Sequence, residues 1–260
     1  MSLIRSERLG EVLILHLARG RANALNPELV DELRAAVDQA ASDGSLRALV
    51  LASDVPKMFC PGFDVSEVFA FDRPRMRAFF ASFVRCFELL RTLPRPVLCA
   101  LAGHAFAGGA ILALAADFRV MAEQAILSVN EVDLAVSLPA AMIRALGASA
   151  GPELARSMLL AGEEISAPRA LGAGLVSEVL PAADVLVATV RRARRLAAKP
   201  AAAFAVHKRA LDPIGGALVS EAEIDQTMDA WFSEEAQARR RSLQQRMAER
   251  VAASRAPRGP

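Results

Sequence analysis

The residues with the clearest chemical potential lie at positions 103–117, GHAFAGGAILALAAD, where a run of small residues leads into an apolar helix. This stretch follows an apolar run, 96–102, that predicts a buried parallel strand. A strand, a glycine turn and a helix N-terminus together present free backbone N–H groups and the positive end of a helix dipole. Such a place suits a negative charge, including one that develops on a carbonyl oxygen during a reaction. Tight packing of helix against strand also requires small residues and is the alternative explanation.

A candidate proton carrier follows in the segment VNEVDL, which contains Glu131. An acid at the start of a loop can serve as a general base, and it can equally form a salt bridge with an arginine. Asp133 is a second acid that either faces away or lies close enough to raise the pKa of Glu131 by like-charge repulsion. Cys60 has no histidine placed to activate it and is expected to pack. His104 could line a pocket or lie in the core.

Bulk composition argues against several classes of function. The 260 residues fit one large α/β domain, or one domain with a small appendage. The net charge of +2 gives no reason to expect a nucleic-acid or membrane surface, and no apolar run reaches the roughly 18 residues of a membrane span. The N-terminus lacks the pattern of a signal peptide, so a cytoplasmic location is expected. Three cysteines at unpatterned spacings and three distant histidines argue against disulfides and a metal site.

The order of strand and helix patterns predicts two regions. Residues 1–180 alternate short strands with helices, which indicates stacked ββα turns rather than a flat doubly wound sheet. Within them, 74–93 forms a long amphipathic helix with its phenylalanines facing inward. Residues 181–252 are helical throughout, and the last long helix runs from about 217 to 252. Residues 253–260 are expected to form a disordered tail.

Four segments resemble the signature segments of the crotonase superfamily, the enoyl-CoA hydratases and isomerases. They are FCPGFD at 59–64, GHAFAGGA at 103–110, AGEEISA at 161–167 and ALGAGLVS at 170–177. The resemblance runs from about residue 3 to 250. It implies an α/β fold, with a spiral of ββα turns as the 1–180 core and a helical trimerisation region over 181–252. It also implies an enzyme that acts on an acyl-CoA thioester as a homotrimer or a dimer of trimers, without a cofactor other than the CoA of the substrate.

The same resemblance assigns roles to individual residues. The two backbone N–H groups of the family's oxyanion hole match Phe63 and Gly108, which agrees with the chemistry expected of the glycine turn. The residues expected to shape the substrate site around them are Pro61, Gly62, Asp64, Val65 and Gly109. The loop with Ala22 and Ala24 resembles the one that holds the adenine through backbone contacts. Lys208 resembles the lysine near the CoA phosphates, and a solvated helix residue is its alternative role.

The acids distinguish one kind of family member from another. Hydratases use two carboxylates, and the position of the first matches Ile111, which can neither hold water nor move a proton. The second matches Glu131. One carboxylate suffices for a Δ3,Δ2-enoyl-CoA isomerase, because it can take a proton from C2 and return one at C4. A pocket around Ile111, Leu134 and Leu138 would raise its pKa. The sequence is therefore most similar to these isomerases, with Glu131 as the proton shuttle.

Two other functions remain open at this point. An enoyl-CoA hydratase would need an acid from elsewhere in the chain. A non-catalytic homologue that binds acyl-CoA or RNA would use the basic clusters at 191–195 and 239–241. These clusters alternate with acids and alanines on helices, so solvated faces or trimer contacts explain them more simply, and neither a nucleic-acid nor a membrane partner is expected. The resemblance implies that the helix over 74–93 lines the acyl end, and its phenylalanines favour an apolar chain.

Overall fold

A computed structural model describes residues 2–212 and 219–255, with side chains as far as position 250. Its strands are β1 (Ile4–Leu9), β2 (Val12–Leu17), β3 (Ala48–Ser53), β4 (Met58–Cys60), β5 (Val97–Leu101), β6 (His104–Phe106), β7 (Phe118–Ala122), β8 (Ile126–Ser128), β9 (Ile165–Ser166) and β10 (Glu178–Leu180). Its helices are α1 (Pro27–Ser42), α2 (Arg73–Thr92), α3 (Gly108–Leu114), α4 (Ala140–Ala150), α5 (Pro152–Ala161), α6 (Ala167–Gly172), α7 (Ala182–Ala197), α8 (Ala201–Leu211), α9 (Glu221–Trp231) and α10 (Glu234–Arg255). Two short 3₁₀ helices cover Val68–Ala70 and Glu131–Leu134.

The larger sheet has six strands in the order β1-β2-β3-β5-β7-β10. β1 and β2 form an antiparallel hairpin, and the remaining neighbours pair in parallel. Every residue of β5 is buried, and so is every residue of β3 except Ser53, as expected for parallel strands that are covered on both faces. α7 packs against β3, β5 and β7, while α1 packs against β1, β2 and α2.

The smaller sheet has the order β4-β6-β8-β9, and its first three strands are parallel. Each of these three follows a strand of the larger sheet along the chain: β4 follows β3, β6 follows β5, and β8 follows β7. This succession confirms the predicted α/β class with its ββα turns. Because the parallel strands β4, β6 and β8 end at the same edge, the residues after them meet there. Those residues are 61–64, 107–109 and 129–131.

The C-terminal part is helical, as the sequence predicts, but it differs in two details. The predicted helix over 217–252 is interrupted, because the Ser233 hydroxyl accepts from the Ala236 N–H at 3.2 Å and caps a new helix, α10. Its predicted start falls in 213–218, outside the described residues. The sequence predicts disorder from residue 253, but α10 continues to Arg255. Residues 256–260 also lie outside the described residues.

Candidate active site

The loop that follows β4 is held in place by backbone hydrogen bonds on both sides of Phe63. The Leu25 N–H donates to the Gly62 carbonyl at 2.8 Å, and the Asp64 N–H donates to the Leu25 carbonyl at 2.8 Å. The Asp64 carboxylate pairs with Arg19 at 2.7 Å and fixes the far side of the loop. Within the described part of the chain, no acceptor takes the Phe63 N–H, so this donor is left free.

The turn that follows β6 carries backbone strain. Ala107 has φ +47° and ψ −127°, a conformation that costs a residue with a Cβ about 1–3 kcal/mol and that is typical of functional sites. Its own N–H donates to the Ser128 carbonyl at 2.8 Å. α3 starts directly afterwards with Gly108, whose N–H also has no acceptor among the residues that the structure describes.

Glycines allow these two loops to touch. A Cβ on Gly62, which has φ +97°, would lie 3.2 Å from the Gly108 nitrogen. A Cβ on Gly109 would lie 2.2 Å from the Cys60 carbonyl oxygen, a distance that no real contact reaches. The ring of Phe63 would lie 3.2 Å from a Cβ on Gly108. The two free N–H groups therefore belong to neighbouring segments of one wall.

This wall borders a cavity of about 450 Å³. The cavity is lined chiefly by apolar side chains from both halves of the chain: Pro61, Phe63, Val65, Phe69, Phe80, Phe83, Phe106, Ala107, Gly108, Ile111, Asn130, Glu131, Leu134, Val136, Leu138, Thr227, Trp231, Leu243, Met247 and Arg250. Phe80 and Phe83 belong to α2, the helix that was expected to line an acyl chain. Size and lining fit a hydrocarbon group that enters with a few polar contacts.

Glu131 supplies the sole carboxyl group among these lining residues. Although the residue as a whole is partly exposed, its Oε2 atom is buried and has no hydrogen-bond partner within the described residues. Burial raises the pKa of Glu131 to about 7, against a smaller opposing effect of its own backbone N–H. The carboxyl group is thus near half ionisation at neutral pH, as suits a group that both takes and returns a proton.

The neighbouring acid plays no part in this shift. Asp133 is exposed, and its Oδ2 lies 2.9 Å from where a Cβ on Gly162 would be, at the end of α5. Burial and not like-charge repulsion raises the pKa of Glu131. Of the two possibilities that the sequence left open for Asp133, the structure selects the one in which it faces away.

Ile111 and Leu134 complete the apolar surroundings of Glu131. Ile111 lies one helical turn after Gly108, is only 1% exposed and lines the cavity. Leu134 lines it from the end of the same 3₁₀ helix as Glu131. Neither side chain can hold water or carry a proton, so the second acid expected of a hydratase has no substitute among the described lining residues.

The predicted adenine loop lies beside the predicted oxyanion wall, residues 61–63 with 107–109, but does not line the cavity. Asn23, between Ala22 and Ala24, is buried with φ +59°, and its side chain donates to Ser53 and Phe59. The Ala24 carbonyl accepts from Arg19 at 2.8 Å. The sequence analysis missed Asn23, although an asparagine is among the residue types that most readily adopt a left-handed turn. The adenine contact stays a prediction.

Lys208, which the resemblance implies to lie near the CoA phosphates, is paired with a carboxylate. Its Nζ donates to Asp117 Oδ2 at 2.8 Å and to the Arg95 carbonyl at 3.1 Å, deep beside the end of α3, and it does not line the cavity. Burial lowers its pKa, and the Asp117 carboxylate opposes that shift. The ammonium group is thus engaged by Asp117, and its contact with CoA phosphates stays a prediction.

Two further residues behave as packing groups. Cys60 is buried, and burial raises the pKa of its thiol to about 12, so it stays protonated. His104 accepts a hydrogen bond at Nδ1 from the Ile126 N–H at 3.1 Å and does not line the cavity. Both therefore support the strands of the smaller sheet.

Sequence reasoning missed the contribution of the last two helices. Thr227 and Trp231 of α9, with Leu243, Met247 and Arg250 of α10, close one side of the cavity. The four-residue spacing of Thr227 and Trp231, the sole tryptophan, was the available signal. α10 offers none, because it is polar nearly all round.

The arginine clusters are turned partly inward. The guanidinium of Arg192 lies 4.6 Å from the centre of the Phe118 ring. The guanidinium of Arg240 lies 4.3 Å from the centre of the Trp231 ring. These contacts reduce the basic surface that the α7 and α10 clusters offer to a polyanion. In the described ranges no helix is long and apolar enough to cross a membrane, and no three His, Cys, Asp or Glu side chains form a group that could hold a metal ion.

Comparison with known proteins agrees with this geometry. Residues 7–253 match the sequence family described as enoyl-CoA hydratase/isomerase. The chain belongs to that family. It is 35% identical over 184 residues to an enoyl-CoA isomerase/hydratase of Zymoseptoria tritici, a match that covers 69% of this chain and 60% of that protein. It is 31% identical to the peroxisomal enoyl-CoA delta isomerase 2 of Arabidopsis thaliana, over 74% of this chain and 84% of the relative.

The fold has a counterpart among solved structures. The human mitochondrial delta3-delta2-enoyl-CoA isomerase superposes with a TM-score of 0.90 at 22% identity, over 95% of this chain and 99% of that one. This likeness shows the crotonase fold, and together with the family match it confirms the resemblance to the crotonase superfamily. The chain spans less than two thirds of the length of the Zymoseptoria relative.

Proposed function

We propose that this protein is an enoyl-CoA isomerase that converts a 3-enoyl-CoA into the 2-trans-enoyl-CoA. The observation that carries the proposal is the carboxyl group of Glu131, the single one among the described lining residues, whose Oε2 is buried without a partner and whose pKa is raised to about 7. It borders the same cavity as two backbone N–H groups that have no acceptor in the described part of the chain. The isomerase relative from Arabidopsis supports this choice within the family.

The reaction would start from a thioester carbonyl that accepts hydrogen bonds from the N–H groups of Phe63 and Gly108. The Glu131 carboxylate removes a proton from C2, and the electron pair of that C–H bond moves toward the carbonyl, so that a dienolate forms with its charge on the thioester oxygen. Glu131 is now a neutral acid. It returns the proton to C4 as the electrons move back, which leaves the double bond between C2 and C3.

The two parts of the site would contribute at different stages. Donors aimed at a developing oxyanion stabilise the dienolate more than the substrate, and each is worth about a hundred- to a thousandfold in rate. A positioned acid–base group contributes about a hundred- to ten thousandfold, and most when its pKa lies near the working pH. The pKa of Glu131, about 7, meets that condition at neutral pH.

Hydration of a 2-enoyl-CoA is the competing activity, because the family includes both reactions. It would require a second group to hold and activate water. The resemblance places that acid at the position of Ile111, which lines the cavity with an apolar side chain. We infer a substrate with an apolar acyl chain, since the far wall of the cavity is built from Phe80, Phe83 and Trp231. Coenzyme A would enter as part of the substrate, with its adenine near Ala22 and Ala24.

We also propose a homotrimer or a dimer of trimers, with residues 181–252 at the contact. Exposed apolar side chains on α7 and α8 support this: Val187 is 68% exposed, Val206 62% and Leu211 81%. A neighbouring subunit that covered these side chains would remove their apolar surface from water. The mass of the protein in solution, measured by light scattering, would test the assembly.

The decisive experiment compares Glu131→Gln with Asp133→Asn, which alters an acid on the same 3₁₀ helix that faces away from the cavity. Both reactions, isomerisation of 3-hexenoyl-CoA and hydration of crotonyl-CoA, are measured on one preparation of each protein. We expect Glu131→Gln to lower isomerisation by about a thousandfold or more while acyl-CoA binding persists, and Asp133→Asn to change little. Turnover that survives in Glu131→Gln, or hydration that exceeds isomerisation in the unaltered protein, would overturn the proposal.

A further inference from the structure

The helix that presents the Gly108 N–H cannot hold its own position. α3 has seven residues, GGAILAL, with no polar side chain among them and no side-chain cap at its N-terminus. A helix this short is not stable in isolation, because the cost of its first turn is repaid by few hydrogen bonds. The position of the Gly108 N–H therefore depends on the residues of other elements that bind and pack against α3.

A buried cation donates hydrogen bonds to backbone carbonyls at the C-terminal end of α3. The guanidinium of Arg119, on β7, donates from Nη1 to the Ala116 carbonyl at 2.6 Å and to the Ala113 carbonyl at 3.4 Å. Its Nε donates to the Leu175 carbonyl at 2.7 Å. Arg119 is 6% exposed, so these bonds lie in the core. Among the described residues it is the one donor to the Ala116 and Leu175 carbonyls, while the Ala113 carbonyl also accepts from the N–H groups of Ala115 and Ala116.

The charge of Arg119 suits this place. Burial lowers its pKa to about 10, so the group remains a cation at neutral pH. Among the described residues no carboxylate forms an ion pair with it, since the nearby Asp117 pairs with Lys208 at 2.8 Å. A cation at the C-terminal end of a helix interacts favourably with the helix dipole. The guanidinium thus ties the last turn of α3 to the segment before β10 through three backbone carbonyls.

We propose that Arg119 is a positioning residue for the oxyanion hole, which acts from the C-terminal end of α3 on the Gly108 N–H at its start. The inference rests on the proposed oxyanion hole. A rigid helix transmits a displacement at one end to the other, and an error of about 1 Å at a reacting group can cost about a hundredfold in rate. Arg119 itself touches no substrate.

Two variants and a matched control test this role. Arg119→Lys keeps the charge and most of the side-chain volume. It replaces the planar guanidinium by a compact ammonium group, whose donors cannot reach all three carbonyls. Arg119→Met also removes the charge. Arg47→Lys is the control, because Arg47 likewise binds carbonyls at a helix end, those of Ala197 at 3.2 Å and Lys199 at 2.9 Å after α7, away from the oxyanion wall.

The first readout is the division between kcat and KM. We expect Arg119→Lys to lower kcat by about ten- to a hundredfold with little change in KM, because the lost donor geometry matters most when the oxyanion develops. Arg47→Lys should change neither constant. A purely structural role would instead lower the fraction of active protein and leave the constants per active site unchanged, and that result would overturn the inference.

The second readout does not depend on turnover. The carbonyl stretching frequency of bound hexanoyl-CoA, a saturated thioester, reports how strongly the two N–H groups polarise the carbonyl. It should move toward the value of free thioester in Arg119→Lys and stay unchanged in Arg47→Lys. An unchanged frequency in Arg119→Lys would refute the positioning role even if the protein proves to be a hydratase. If Arg119→Met does not fold, Arg119→Lys alone decides the question.

Discussion

The oxyanion wall, residues 61–63 with 107–109, and the acid wall, the 3₁₀ helix Glu131–Leu134, face one cavity but are held differently. Backbone contacts fix the oxyanion wall, with Leu25 bonded on both sides of Phe63 and with a glycine pressed against Cys60. The carboxyl oxygen at the acid wall has no partner within the described residues. The difference fits the proposed mechanism, in which the donors are set before substrate arrives and the acid keeps its hydrogen-bonding capacity for the reacting carbons.

After the loss of Glu131, the largest effect on the rate should follow from a change that separates the two segments of the oxyanion wall. In Gly109→Ala the new Cβ would meet the Cys60 carbonyl oxygen at 2.2 Å, so the two segments must separate. We expect kcat to fall by about a hundredfold or more, with a loss of stability of about 1–3 kcal/mol. Steady-state kinetics and urea unfolding measure the two effects.

Gly147→Ala is the matched control for that substitution. Gly147 lies inside α4, and its new Cβ would meet nothing nearer than 3.9 Å. This change should leave kcat unaltered and stabilise the protein by up to about 1 kcal/mol, the helix preference of alanine over glycine. Equal kinetics in the two alanine variants would contradict the claim that the oxyanion wall needs a glycine at 109.

The next prediction concerns the free energy of unfolding and its dependence on the ionisation of Glu131. The pKa of Glu131 rises from an ordinary 4.5 to about 7 on folding, so the fold disfavours its carboxylate and stability is lost as the pH rises between these values. Glu131→Gln removes this loss. Relative to the unaltered protein, the variant should gain roughly 2 to 3 kcal/mol between pH 5 and pH 8.

Urea unfolding at the two pH values tests this prediction, with Asp133→Asn as the control. Asp133 is an exposed acid on the same 3₁₀ helix, so its variant controls for replacing an acid by an amide in this segment. A stability difference for Glu131→Gln that is equal at pH 5 and pH 8 would show that Glu131 is already ionised in its site, and the argument for a raised pKa would fail.

The smallest effect on ligand binding should come from Lys208. Because its ammonium group is paired with Asp117 and lies outside the cavity, Lys208→Met should leave the affinity for CoA unchanged. It should destabilise the protein by about 1–3 kcal/mol, because the part-buried Asp117 carboxylate loses its partner. Calorimetric titration with CoA checks the first part, and a clear loss of affinity in a folded variant would restore the role that the resemblance implies.

Local sequence was enough to predict one part of the site. The glycine turn, the loop around Phe63 and the position of Glu131 are all encoded within a few residues of the groups concerned, and strands β4, β6 and β8 bring them to one edge. The alternation of strands and helices could also be predicted from the sequence, because strands and helices differ in the period of their hydrophobic residues. The structure agrees with these expectations for the fold and places Phe63, Gly108 and Glu131 at one cavity, while their roles stay predictions.

Other parts depend on contacts between distant residues. Lys208 pairs with Asp117 across 91 positions, and no local pattern distinguishes such a lysine from a solvated one. α10 has no apolar face, so nothing in its sequence indicates that Met247 and Arg250 border the cavity. Ser233 caps α10, and serine is a residue type that often marks the start of a helix. It stands within a long run of helix formers, so the break before α10 was not predicted.

The central claim is that one carboxyl group carries the same proton from C2 to C4. The most direct test is isomerisation of 3-hexenoyl-CoA deuterated at C2, in ordinary water and over a single turnover, with the product examined by mass spectrometry and NMR. Because Glu131 is buried among apolar side chains, its proton should exchange slowly with solvent, and we predict deuterium at C4 in a substantial part of the product. Product with only solvent hydrogen at C4 would contradict the single-shuttle account.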